Sequence, residues 1–373
     1  MVMKKRFILL AILLLIAVVV GIVLVRGRGE GTAEETTNGE TILPKKKTIS
    51  DKGVYVTATM ANLPVRFGRL RAGAKKSGIN TLVIDVKEII AKPLFELIKD
   101  KKLTPGTKAA ADPWLKKLTK ELHDEGFIVS ARIVVIKDDH LVLARQDLGV
   151  KVAGGGLYRD LKGGKWADPY SDEVRLYNEL IAETAALSGV DEVQFDYIRF
   201  PAEGGARNAV YPHIKEGVTR VDIICEFLRG VKERLTKYNT SIAVDIFGVT
   251  AWQSKNDIAA LGQDLKRMAP YLDVISPMLY PSHFHAGYDG YGNPGSYPYY
   301  FMNAGVARAK EILSGEAVAL VPWIQGFNLR SPNYGPNYIL EQIKGCKDAE
   351  IERYLIWNAR NDYSVSFNAL GKP

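Results

Sequence analysis

The chain has 373 residues, 47% hydrophobic and 25% charged, with 50 lysines and arginines against 42 aspartates and glutamates for a formal net charge of +8. That balance excludes a disordered or fibrous chain and leaves ample apolar content for one large domain or two small ones. The positive charge is diffuse and forms no basic stripe interleaved with aromatics, so nucleic acid is not an expected partner.

Lys4, Lys5 and Arg6 precede an unbroken apolar run over 7–25, which Arg26 and Arg28 follow. The run is close to the ~20 residues a helix needs to cross a bilayer. No Ala-x-Ala pattern follows it, so residues 1–28 are predicted to be an uncleaved single-pass anchor, with a cleaved signal segment and a secreted product as the alternative. The cations on the short N-terminal side orient the body of the protein outside the cytoplasm. Residues 29–50 are rich in Gly, Thr, Glu and Lys without apolar periodicity and read as a flexible linker to a domain over 51–373.

From residue 51 on, β-branched runs alternate with helical patterns. Strands are predicted at 53–60, 81–87, 127–136, 191–199, 241–250, 272–279, 317–327 and 353–361, and helices at 114–125, 171–188, 218–238 and 257–268. Eight strands in a βα rhythm predict a (β/α)₈ TIM barrel with enlarged loops. An open doubly wound sheet is the alternative, but the junction Met60-Ala61-Asn62-Leu63-Pro64 lacks a Gly-rich phosphate loop.

The most informative stretch runs from Val190 to Pro201, an apolar strand that closes on Asp196, Tyr197 and Arg199. A carboxylate in such a run must be paired, hydrogen-bonded or open to a cleft, because burying it alone costs several kcal/mol. Parallel barrels carry their catalytic groups at the carboxyl ends of strands. Side chains two apart share a face of a strand, which groups Gln194 with Asp196, Ala243 with Asp245, and Val83 with Asp85 and Lys87. Asp85, Asp196 and Asp245 are therefore expected to converge over the mouth.

Glycosidic cleavage needs one carboxylate to attack or stabilise the sugar's developing cation and one carboxylic acid to protonate the leaving oxygen. Asp196 and Asp245 are the candidate pair. The competing reading is an ion-pair network, with Asp196 on Arg132 or Arg199 and Asp245 on Lys87. Asp85 suits a structural or substrate-orienting role, with Lys87 and Arg132 as cations that favour ionised aspartates.

Trp166-Ala167-Asp168-Pro169-Tyr170 fits either a sugar-contacting rim or an Asp-Pro turn that starts a helix. Tyr280 and His283 open a loop dense in Tyr, Gly and Pro that would wall a sugar site. His283 and His285 lack a third metal ligand, so no metal or cofactor is expected. The ends of the last two strands add Trp323, Gln325, Trp357, Asn358 and Arg360, which combine flat apolar faces with polar donors. Cys225 and Cys346 lack metal-ligand spacing and are read as buried free thiols.

Thr81 to Lys87, Asp168-Pro169-Tyr170, Asp191 to Pro201, and Pro277-Met278-Leu279-Tyr280-Pro281-Ser282 together resemble the bacterial DUF4015 family of glycoside-hydrolase-like barrels, over roughly residues 50 to 365. The resemblance implies a TIM barrel related to α-galactosidase and α-amylase-like glycosidases, in which a fourth-strand aspartate serves as nucleophile. Asp196 matches that position. No motif of the family marks the acid/base, so Asp245 rests on geometry alone. The expected function is hydrolysis of an envelope or extracellular polysaccharide, with a non-catalytic glycan-binding barrel as the alternative.

Overall fold

The computed structural model describes residues 47–252 and 254–371. Eight parallel strands close into a barrel: β1 (Lys52–Val56), β2 (Thr81–Asp85), β3 (Ile128–Val134), β4 (Glu192–Asp196), β5 (Ser241–Phe247), β6 (Val274–Met278), β7 in two pieces (Ala319–Leu320 and Trp323–Gln325) and β8 (Tyr354–Trp357). The two pieces of β7 close the ring between β6 and β8. Its first piece pairs with β6, and its second pairs with β8 while Trp323 still faces Met278 of β6.

All eight predicted strands are present, but most stop earlier than their apolar runs suggest. The first ends at Val56 because the Thr57 hydroxyl accepts the Met60 amide at 3.1 Å and caps a short helix, Ala58–Ala61. The helix predicted over 171–188 spans Asp172–Leu187, capped by Ser171, with Asp172 and Glu173 in its first turn, where acidic groups meet the positive end of the helix. Gly189, at φ +91°, turns the chain back toward β4. The helix predicted over 218–238 spans Arg220–Leu235, and its start is a capping box between Thr219 and Asp222.

Two apolar layers result. Leu82, Ile84, Val193, Phe195 and Ile246 lie on the outer face of the strands and are buried against the helices. Inside the ring, Val83, Ala243, Val274, Val321 and Leu355 form a smaller packed cluster. Gly53 stands where a Cβ would come within 2.5 Å of the Leu355 side chain, so the interior has no room for a larger residue there.

Residues 47–50, read as linker on composition, seal the amino end of the barrel. The Ser50 hydroxyl donates to Glu192 at 2.5 Å, Ser130 donates to the same carboxyl at 2.8 Å, and the Ser241 hydroxyl donates to the Thr48 carbonyl at 2.5 Å. Burial raises the Glu192 pKa against the pull of its hydrogen bonds from Ser50 and Ser130. The predicted anchor over 1–28 and the rest of the linker lie outside the described residues. Among the described residues, no helix is long and apolar enough to cross a membrane.

Candidate active site

At the carboxyl end of the barrel, three strands aim acidic side chains at one guanidinium. Arg132, from β3, is 4% exposed and donates through one terminal nitrogen to Asp85 of β2 and through the other to Asp196 of β4. Its Nε lies 3.9 Å from Asp245 of β5 and has no hydrogen-bond partner among the described residues. Burial opposes the charge on Arg132, and the three carboxylates overcome it, so its pKa rises well above the ordinary arginine value. The guanidinium also lies 4.9 Å from the Trp357 ring centre and 5.4 Å from that of Tyr55, a cation–π arrangement. Tyr55 and Trp357 stack on one another at 3.9 Å, and the Tyr55 hydroxyl donates to Asp85.

The two carboxylates of interest have different surroundings. Asp196 ends its strand against Arg132 and accepts the Tyr197 amide at 2.5 Å. Tyr197 has φ +51°, an uncommon conformation for a residue with a side chain, located beside the central carboxylate. Asp245 is 1% exposed, and one of its oxygens accepts from Gln194 at 2.7 Å and from the Trp323 indole at 2.5 Å. Burial and then the neighbouring Asp196 push its pKa well above the carboxylate range, while Arg132, Trp323 and Gln194 pull the other way. Protonated, Asp245 is a carboxylic acid beside an ion-paired carboxylate.

Above them opens a cleft of about 420 Å³, within the usual range for a ligand site. Asp196, Asp245 and Arg132 form its base, and Tyr197, Tyr280, Trp323 and Trp357 contribute to its walls. The Tyr280 hydroxyl is buried and has no hydrogen-bond partner among the described residues. Burial, then Asp245 and Asp196, raise its pKa, so it keeps its proton and remains a donor. His283, also in the wall, is lowered to about 4 by burial and by Arg330 and Lys162, and is neutral at physiological pH. Arg199 is nearly buried, with its guanidinium 4.5 Å from the Phe247 ring centre and 5.0 Å from that of Trp166.

The other residues singled out from sequence are elsewhere. Lys87 does not pair with Asp245: its ammonium is held by Asp138 at 2.8 Å, Asn178 at 2.9 Å and the Val134 carbonyl at 2.7 Å. Gln325 receives the Ser282 amide and donates to the Phe327 carbonyl, which pins the loops after β6 and β7 together. Asn358 donates to the carbonyls of Gly326 and Asp362, and Arg360 is exposed and outside the cleft wall. Asp168 accepts the amides of Tyr170 and His213, the bonding of an Asp-Pro turn before a helix. The Tyr-rich loop packs mostly on itself, with Tyr291 against Tyr297 and Tyr300 at 4.5 and 4.3 Å.

Sequence reasoning missed Lys137, Asp160 and Glu203, which line the cleft. Lys137 and Asp160 are ion-paired at 2.7 Å. Although burial works against it, that bond, the Gly164 amide and the Trp166 indole hold Asp160 at a pKa of about 2. Lys137 was findable as a charge immediately after an apolar strand. Asp160 and Glu203 sit in irregular loops, where sequence gives no periodicity.

The fold and the site define a parallel (β/α)₈ barrel with an acidic cluster at its carboxyl mouth. The chain belongs to the DUF4015 family, whose model, described as "Putative glycosyl hydrolase domain", matches residues 53–363. A comparison with curated protein sequences gives no match. Among solved structures, the PgaB (BpsB) glycoside hydrolase domain from Bordetella bronchiseptica is 12% identical with a TM-score of 0.57, over 86% of this chain and 99% of its own. The catalytic domain of β-amylase from Paenibacillus polymyxa is 11% identical with a TM-score of 0.53, over 84% of this chain and 93% of its own. The Bacillus cereus spore cortex-lytic enzyme SleL is 12% identical with a TM-score of 0.51, over 87% and 74%. At these identities the likeness speaks for the fold alone.

Proposed function

We propose that this protein is a glycoside hydrolase acting on an envelope or extracellular polysaccharide, with Asp196 as nucleophile or cation stabiliser and Asp245 as general acid/base. The observation that carries the reading is the unequal treatment of two carboxyls on adjacent strands: Asp196 is ion-paired to Arg132, and Asp245 is buried with a raised pKa. Glycosidases divide their labour in this way, one carboxyl protonated and one ionised. In the retaining form, Asp196 attacks the anomeric carbon while Asp245 gives its proton to the departing oxygen. Water then attacks the anomeric carbon, giving a proton to Asp245 and displacing Asp196 as a carboxylate. Neighbouring strands are ~4.8 Å apart; a carboxyl separation of ~5–5.5 Å is that of a retaining enzyme, and a wider one, with room for a water between the carboxyls, that of an inverting one. The Tyr280 hydroxyl supplies a donor for the sugar, or for the Asp196 oxygen as negative charge returns to it when the glycosyl-enzyme bond breaks. The apolar run over 7–25 supports a membrane tether with the barrel outside the cytoplasm.

A second reading, a non-catalytic glycan-binding barrel, draws on the same ion pair, since a carboxylate held by Arg132 is not free to attack. A hydrolysis screen of envelope and extracellular glycans, with wild type beside Asp196→Asn, separates the two. Sugar release by wild type, reduced on the order of a thousandfold in the variant, is expected. Glycan binding without release would establish the second reading.

A further inference from the structure

A second cleft, of about 590 Å³, lies over the ends of β2 and β3. It shares two residues with the first, Arg132 and Lys137, so the two are lobes on either side of one charged ridge. The ridge is fixed by its own bonds. Arg132 holds Asp85 on the second-lobe side and Asp196 on the first, and Lys137 is paired with Asp160 and sits 5.3 Å from the Tyr197 ring centre. Each lobe alone has the volume of a small-ligand site.

The second lobe also has a surface suited to a sugar. His140 is exposed and stacks on the buried Phe95 ring at 4.0 Å and 10° between planes, so its outer face is presented flat. Lys92 and Glu88, both exposed, stand in the same wall as polar groups. An active site that removes single terminal units needs one closed pocket. This mouth instead extends from the loops after β2 and β3, past Asp196, to those after β5 and β6.

We infer that the substrate is the interior of a polysaccharide chain, bound across both lobes with the scissile bond beside Asp196 and further sugar units stacked over His140. The inference rests on the hydrolase reading above. Its consequence is cleavage within the chain, with a rate that grows with chain length until both lobes are filled.

Reducing-end-labelled ladders of glucose and N-acetylglucosamine oligomers, from two to eight units, test this with the full chain and a His140→Ala variant. The expected result is interior cleavage and a kcat/KM at least about tenfold higher for the longest than for the shortest oligomer. His140→Ala should lower the long-chain value about fivefold, the size of one ring-stacking contact. Cleavage independent of length, or release of terminal units only, would overturn the two-lobe inference and leave the hydrolase reading intact. No cleavage of any oligomer, together with no release from any glycan in the screen above, would remove both.

Discussion

Arg132 sets the chemistry of the mouth by facing three carboxylates at once. A buried cation with three anionic neighbours holds Asp85 and Asp196 through direct bonds and reaches Asp245 only through the long contact from Nε. Asp245 is therefore the member left to desolvation, and its pKa rises. The folded state then keeps a proton that the unfolded chain releases at an ordinary carboxylate pKa. The resulting stability is complete below that value and is lost as pH climbs toward the raised one. Asp245→Asn removes this loss. Thermal melts of the two proteins from about pH 4 to about pH 9 should run together in acid and separate above, with the variant the more stable in alkali. Parallel curves would show that Asp245 titrates normally.

At the scale of elements, the floor of the barrel depends on a segment that composition assigned to the linker. Ser50 is fully buried and gives both its amide and its hydroxyl to Glu192. Ser50→Ala leaves the amide and Ser130 as donors but strips one bond from a buried carboxyl, a loss of roughly 1–3 kcal/mol. Urea unfolding measures it, and an unchanged midpoint would mean that the segment does not close the barrel. The eight strands were legible because β-branched runs recur between helical patterns. Their ends were not, because a polar cap such as Thr57 stops a strand whose apolar run continues to Met60. Residues 47–50 escaped notice because only the folded ring supplies their partners. In the site, Asp196 and Asp245 stood out as carboxylates at or near the ends of apolar strands, whereas Lys87 was misassigned to Asp245 because alternation extended past the true end of β2 at Asp85. Beyond that residue a short helix, Lys87–Ile90, turns the ammonium toward Asp138.

For the whole molecule, the barrel places its floor and its mouth at opposite ends, so the seal at 47–50 and the acidic cluster serve separate ends of one packed interior. The central claim is that the carboxylate at the end of β4 attacks or stabilises a sugar cation. Chemical rescue tests it most directly, on the glycan that wild type cleaves fastest. Asp196→Ala should lose sugar release by on the order of a thousandfold or more, and added formate, a small carboxylate able to enter the vacated space, should restore part of it. Sugar release by Asp196→Ala at the wild-type rate would contradict the account.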